Sequence, residues 1–338
     1  MTLHLLLAFL LVLGMGFAAH RASLCTVKAV AEVMTSGQAW MLASFVKAVL
    51  WTLLLSGTLI VMLSITPQPV LGRLPWLAAL AGGFAFGVGA AINGGCSFST
   101  LQRLADGELD MALTLLGMAL GFVGMVYLIS GIDKTSLQPI VPDWHWQNSS
   151  AAVLLGALWL WALWELSRLW RTRNPAGGLF HHLLASKYRL SSGAALLGIG
   201  GGTLYALHGA WTYTNFLRAE SASWLGAGPT PAVGQTLLLV ALITGMLLSS
   251  WHRGTLAIRP PNPRKAGPHL LGGFLMGVGG TLAPGGNDTL LLAAIPTFSL
   301  QAVTVYGALL AGVAFTLAAM HWKAGTAMRV ECSGDRCP

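Results

Sequence analysis

Two clusters of thiols, hydroxyls and glycines stand out in a chain with otherwise little means of doing chemistry. The first is His20-Arg21-Ala22-Ser23-Leu24-Cys25-Thr26, which follows an apolar run and opens an Ala/Val-rich stretch. In the second, Asn93-Gly94-Gly95-Cys96-Ser97-Phe98-Ser99-Thr100, two glycines, a thiol and three hydroxyls come directly after a glycine-striped apolar run. A helix beginning at such a break points unsatisfied N–H groups and the positive end of its dipole outward, which suits an anion, with Ser23 or Thr26 able to cap or coordinate. A lone buried cysteine is by default a small hydrophobe. The polar set around Cys96, however, is denser than a packing kink needs in apolar surroundings.

Two further breaks are His208-Gly209-Ala210-Trp211-Thr212-Tyr213-Thr214-Asn215 and Ala283-Pro284-Gly285-Gly286-Asn287-Asp288-Thr289. His208 fits a hydrogen-bonded turn, with a proton relay as the alternative. Asp288 fits an N-cap of the Leu-rich helix that follows it, with proton coupling as the alternative. Lys47 and Glu165 interrupt apolar stretches, where they either snorkel or pair within the bundle. No Cys-X-X-Cys pair or obvious base accompanies Cys25 or Cys96, and only Arg21 is placed to favour a thiolate. A membrane-embedded thiol enzyme carrying a persulfide is therefore the weaker alternative to transport. Cys332 and Cys337 form a poor zinc signature in a polar tail, and no disulfide framework, metal or cofactor is implied.

These residues must be held by elements made for a bilayer. Of 338 residues, 55% are hydrophobic and 9% charged, with mean hydropathy +0.68; a soluble domain carries roughly 25% charged residues. At about 20 residues per crossing, there is room for roughly eight to ten hydrophobic elements. The expected fold is an all-α integral membrane protein with about nine transmembrane helices plus short broken or re-entrant helices. A single membrane domain is expected over residues 1–325, with repeat halves of about 1–150 and 151–325 and a polar tail over 326–338. Apolar runs such as 76–92, 194–208 and 269–283 are short and end in glycines, so they predict half-helices that line a cavity. The 42 glycines point the same way.

An internal repeat supports this organisation. Gly82-Gly83-Phe84-Ala85-Phe86-Gly87-Val88-Gly89 reads against Gly272-Gly273-Phe274-Leu275-Met276-Gly277-Val278-Gly279 with two mismatches. Continued without a gap, Gly95 meets Gly285 and Cys96 meets Gly286. A weaker echo pairs Leu13-Gly14-Met15-Gly16 with Leu197-Gly198-Ile199-Gly200. Broken elements meeting about a pseudo-twofold axis are how duplicated transporters build a central site.

The formal charge of +8 reflects topology rather than nucleic-acid binding. Arg168, Arg171, Arg173, Lys187 and Arg189 form one cluster, and Arg253, Arg259, Arg264 and Lys265 another. The positive-inside rule places the loops 168–189 and 252–268, with the C-terminus, in the cytoplasm, and Asp133–Ser150 with its Trp144-His145-Trp146 patch outside. Leu3–Ala19 has no basic n-region before it and is taken as part of the mature protein.

Four motifs in order resemble the YeeE/YedE family of sulfur-transport membrane proteins: Gly16 through Thr26, Asn93 through Ser97, Gly209 through Thr214, and Pro284 through Asp288. The resemblance implies an hourglass of broken helices in a bacterial inner membrane, with thiosulfate passing a central constriction from thiol to thiol. Cys25 and Cys96 match two family cysteines; the third falls where this chain has Gly286. The path residues carried over are Arg21, Cys25, Asn93, Gly94, Gly95, Cys96, Ser97, Gly209, Trp211, Thr212, Gly285, Gly286, Asn287 and Asp288. A small cytoplasmic sulfur-carrier protein resembling TusA is the implied partner. The terminal sulfur of thiosulfate is a soft acceptor that suits a thiol, while hydroxyls and N–H groups suit its oxygens.

Overall fold

The computed structural model describes residues 3–65, 70–73, 75–130, 138–140, 149–172, 184–226, 228–283, 285–324, 330, 332, 334 and 335. The expected Trp144 patch, Arg173, Pro284 and Cys337 lie outside these residues. Among these residues the helices are, in order, α1 Leu3–Ala22, α2 Thr26–Ser36, α3 Trp40–Leu63, α4 Trp76–Asn93, α5 Ser97–Ala105, α6 Asp110–Ser130 and α7 Ser149–Arg171. After these come α8 Leu190–His208, α9 Tyr213–Trp224, α10 Val233–Arg253, α11 Pro263–Leu282, α12 from Asn287 through π and 3-10 turns to Thr297, and α13 Leu300–Ala324. A two-stranded antiparallel pair, β1 Val70–Arg73 and β2 Gln138–Ile140, completes the fold.

Nine of the described helices have 18 or more residues, and eight segments are long and apolar enough to cross a bilayer. The long helix outside those eight segments is α11, which opens with Arg264 and Lys265. The half-helices are not the short apolar runs. Those runs belong to α4, α8 and α11, helices of 18 to 20 residues. The half-helices are α2, α5, α9 and α12, the short pieces after each break; α2, α5 and α9 are more polar than the long helices before them, and α12 is a short Leu-rich piece.

Each long-to-short break has one plan. A positive-φ residue lies in each break: Ser23 (49°), Gly94 (73°) and Gly209 (75°) directly after the long helix, and Gly285 (119°) beyond the Ala283 cap of α11. Glycine takes this conformation without penalty; Ser23, the exception, donates its hydroxyl to the His20 carbonyl at 3.3 Å. An extended N-cap residue then starts the short helix: Cys25, Cys96, Thr212 and Gly286.

Packing follows the repeat. α1 lies on α10 and α8 on α3; α4 lies on α13 and α11 on α6; α1 meets α8 and α4 meets α11 across the axis. Glycines permit these approaches. A Cβ on Gly89 would sit 2.5 Å from the Gly272 carbonyl oxygen, and one on Gly279 would sit 2.5 Å from that of Gly82. The weaker echo is two residues out of register: Gly16 presses on the Leu242 carbonyl of α10 as Gly202, not Gly200, presses on the Thr52 carbonyl of α3.

The repeat is inverted. Asp106 accepts from His20, Ser250 and Thr255, Asp110 accepts from the Asn262 N–H, and Glu108 pairs with Arg259. These contacts gather the ends of α1, α5 and α10 and the starts of α6 and α11 on one face. Asp335 joins them, accepting from the Ser191 N–H and hydroxyl at the start of α8. Most of the described basic residues of the two clusters belong to this face, and β1–β2 lies at the far ends of α3 and α6. Thus α3 and α6 run away from the basic face, while their counterparts α10 and α13 run toward it. Glu165, fully buried, accepts from Lys47 at 2.8 Å and Arg168 at 2.7 Å, which makes Lys47 and Glu165 partners rather than snorkelling groups. Cys332 is disulfide-bonded, whereas composition implied no disulfide; its partner lies outside the described residues.

Candidate functional site

The four short helices bring their N-termini together at the centre. Cys25 and Cys96, 2% and 1% exposed, interact directly. The Cys25 thiol also donates to the Ser99 hydroxyl at 3.5 Å. Each sulfur lies against backbone N–H groups of the other motif as well as its own: Cys25 against those of Cys96 and Lys28, Cys96 against those of Thr26 and Ser99. The thiol pair thus sits between two helix N-termini, where the dipoles favour negative charge.

The second half supplies hydroxyls instead. The Thr212 and Thr289 hydroxyls are 2.6 Å apart, and those of Thr214 and Thr289 3.0 Å apart. Asn287 joins the halves by accepting from the Ser97 hydroxyl at 3.1 Å and donating to the Thr26 hydroxyl at 3.1 Å. Buried hydroxyls are costly without partners, and here they satisfy one another. The centre is therefore two-sided: thiols from the N-termini of α2 and α5, hydroxyls from those of α9 and α12.

Asp288 does act as a cap, but of a different helix. The N-cap of α12 is Gly286, and the Asp288 carboxylate instead accepts from the Thr214 N–H at 3.1 Å and the Thr214 hydroxyl at 2.5 Å, closing the first turn of α9. Gly286 donates its N–H to the Thr214 hydroxyl at 3.1 Å. A Cβ at Gly286 would lie 2.7 Å from the Thr214 methyl and 2.9 Å from an Asp288 oxygen. A threonine and an aspartate occupy the space that a third thiol would need.

Other residues named from the motifs are placed behind this centre. The Asn93 carboxamide is fully committed: it donates to the Gly95 carbonyl and the Thr100 hydroxyl and meets the Thr114 hydroxyl and His269 at its oxygen. Asn93 therefore shapes the break rather than facing an ion. Gly94 and Gly95 form that break, and a Cβ on Gly95 would strike the Ser99 hydroxyl at 2.4 Å. Arg21 stands apart. It stacks on Phe17 at 4.1 Å and bonds Ser249, His252 and the Ala185 carbonyl, tying the basic-face ends of α1 and α10 together.

On the face opposite the basic clusters, a vestibule of about 430 Å³ is lined by residues including Ile65, His208, Asn215 and Gln235, with Gly209, Ala210 and Trp211. Past Trp211 lies a cavity of about 30 Å³ bounded by Met15, Phe98, Tyr205, Thr212, Tyr213 and Asp288, among others. The vestibule narrows onto a closed centre.

Residues 21–315 match the sulphur transport family. This chain belongs to that family. It is 25% identical over 321 residues to the thiosulfate transporter TsuA of Spirochaeta thermophila, a match covering 85% of this chain and 90% of TsuA. It is also 25% identical over 175 residues to the probable transporter YedE of Salmonella typhimurium, covering 51% of this chain and 36% of YedE. The chain is a multi-pass membrane protein of sulfur transport, and the matched span covers the last three motifs whole and the first from Arg21 onward.

Ser99, Thr214 and Thr289 stand within the quoted motifs but not among the path residues carried over from the family resemblance, and the structure places them in the centre. The repeat carries a signal for one pair: Cys96 aligns with Gly286 and Ser99 with Thr289, whereas Thr214 reaches Gly286 only through the fold.

Proposed function

We propose that this protein takes up thiosulfate across a bacterial inner membrane, with the vestibule outside and the basic face in the cytoplasm. The observation that carries this reading is the two-sided centre. Paired thiols match the soft terminal sulfur, and the opposed hydroxyls with four helix N-termini match the oxygens. Sulfate offers no soft end to the thiols and is disfavoured. Weak S–H contacts hold the ion briefly, as passage requires. TsuA, by its name a thiosulfate transporter, supports the same substrate. The basic clusters obey the positive-inside rule in this orientation, and a sulfur-carrier partner would meet that face. Growth of a sulfur-auxotrophic bacterial host on thiosulfate alone, dependent on this gene, tests the function; gene-independent growth or none refutes it. Impermeant labelling on intact cells of single cysteines placed in 184–189 or 254–262 would refute the orientation. Adjacent thiols also suit a sulfurtransferase, and a stoichiometric persulfide on Cys25 or Cys96 after thiosulfate exposure, seen by mass spectrometry, would favour that reading over permeation.

A further inference from the structure

The buried hydroxyls at the centre are engaged, with one exception. Ser97, Ser99, Thr212, Thr214 and Thr289 each hydrogen-bond, and the Tyr213 phenol donates to the Met118 sulfur at 3.9 Å. The exception is Tyr306 of α13, 8% exposed, whose phenol oxygen is buried and makes no hydrogen bond among the described residues. It stands beside the Thr26 hydroxyl, outside hydrogen-bond geometry, and within electrostatic reach of Cys25 and Cys96. Thr26 is itself held by the Asn287 amide at 3.1 Å. A buried hydroxyl without a partner is costly, and phenylalanine would fill the same space without that cost. The helix that carries Tyr306 is pinned on either side of it. A Cβ on Gly83 or Gly87 of α4 would lie 2.5 Å and 2.1 Å from the carbonyl oxygens of the buried Val305 and Leu309.

We infer that Tyr306 is a direct ligand of the transported anion, its O–H donating to an oxygen of the ion while the Cys25–Cys96 pair takes the terminal sulfur. This rests on the thiosulfate reading above and adds a ligand that none of the four motifs contains. The position fits an ion with a soft and a hard end. Asn287 links Thr26 on the thiol side to the hydroxyl side of the centre, and Tyr306, beside both Thr26 and the thiols, stands at that seam. The chemistry fits as well. A phenol is a stronger donor than a thiol, and a hydrogen bond to a charged acceptor is stronger than one between neutral groups. An uncharged donor nonetheless lets the ion leave, where a buried cation would hold it. Because the crossing of α4 and α13 fixes the helix and the phenol has no internal hydrogen bond to give up, little of the binding energy is lost to reorganisation.

The test is thermal melting of the purified full chain in detergent, wild type and Tyr306→Phe, titrated with sodium thiosulfate and separately with sodium sulfate at matched ionic strength. A ligand that binds only the folded state raises the melting temperature, and the titration gives its apparent Kd. Without ligand, Tyr306→Phe is expected to melt at or slightly above the wild-type temperature, because the hydroxyl has no hydrogen bond to lose. With thiosulfate, its apparent Kd is expected to be about tenfold weaker, the loss of one hydrogen bond to a charged group. An unchanged Kd in Tyr306→Phe, with wild type still selective for thiosulfate, would overturn the role of Tyr306 alone and leave the substrate reading standing; a phenol satisfied by water would give that result. A ligand-free variant that melts well below wild type, or does not fold, would make the hydroxyl structural and overturn the inference too. Wild type stabilised no more by thiosulfate than by sulfate would overturn the substrate reading and this inference with it.

Discussion

Placing a third thiol at the centre by Gly286→Cys is predicted to destabilise the protein rather than simply add a thiol. Backbone conformation is no obstacle, because Gly286 has φ −80° and ψ −172°, which any residue adopts. Space is the obstacle. The new Cβ would stand 2.7 Å from the Thr214 methyl, whereas carbon atoms pack at about 3.5–4.0 Å. Thr214 cannot retreat freely, since its hydroxyl donates to Asp288 at 2.5 Å and accepts from the Gly286 N–H at 3.1 Å. Overpacking of this kind costs about 1–3 kcal/mol. Thr214→Ser removes the offending methyl and keeps the hydroxyl, at about 0.5–1.5 kcal/mol by analogy with deletion of one buried methyl. In the double variant the serine relieves the closest contact, so the two costs should fall short of additive by about 1 kcal/mol or more. Thermal melting of the four purified proteins in detergent, run as a double-mutant cycle, measures this. A Gly286→Cys protein as stable as wild type, or two costs that simply add, would refute the proposed competition for space.

Gly87→Ala and Gly277→Ala should damage the fold equally, because their Cβ atoms would lie 2.1 Å and 2.2 Å from the Leu309 and Met118 carbonyl oxygens in pseudo-equivalent crossings; membrane yield and monodispersity of each variant check this. Glu165→Gln leaves Lys47 and Arg168 without their buried carboxylate and should cost about 3–5 kcal/mol, visible as a fall in melting temperature that Lys47→Met in the same chain partly reverses. Asp106 gives a pH dependence outside the spans. Burial alone would raise its pKa, but the bonds from His20, Thr255 and Ser250 outweigh it and hold the group at about 2, against an ordinary 3.8. A depressed carboxylate stabilises the fold fully above its unfolded pKa, and that contribution disappears as pH falls from about 4 toward 2. Melting temperature should therefore drop across this window in wild type and less so in Asp106→Asn; equal slopes would contradict the clasp.

The breaks were legible in the sequence because glycine and polar clusters interrupt apolar runs, and the Gly82–Gly89 and Gly272–Gly279 repeat located the crossing of α4 and α11. The half-helices were assigned to the wrong segments because α5 and α9 carry too many polar residues for hydropathy to see them as membrane elements. The contacts that make the site join Cys25 to Ser99, Thr26 to Asn287 and Thr214 to Asp288, pairs separated by 74 to 261 positions, and no local pattern reports them. The same reason hid the roles of Asn93 and Arg21. Their types suit an anion, but their partners, His269 and Thr114 for one and Ser249 and His252 for the other, come from distant helices. The direction of the repeat was equally hidden, since inversion leaves the order of glycines along the chain unchanged.

The most direct test of the account is the rate of thiosulfate uptake by Cys96→Ser, compared with Cys96→Ala and wild type at equal membrane expression. Serine keeps the size and the hydrogen-bond donor but removes the soft sulfur that pairs with Cys25. The account predicts that both variants insert normally and lose most uptake, with serine no better than alanine. Uptake by Cys96→Ser at the wild-type rate would show that shape and polarity suffice, contradicting the claim that paired thiols select the sulfur end of the ion.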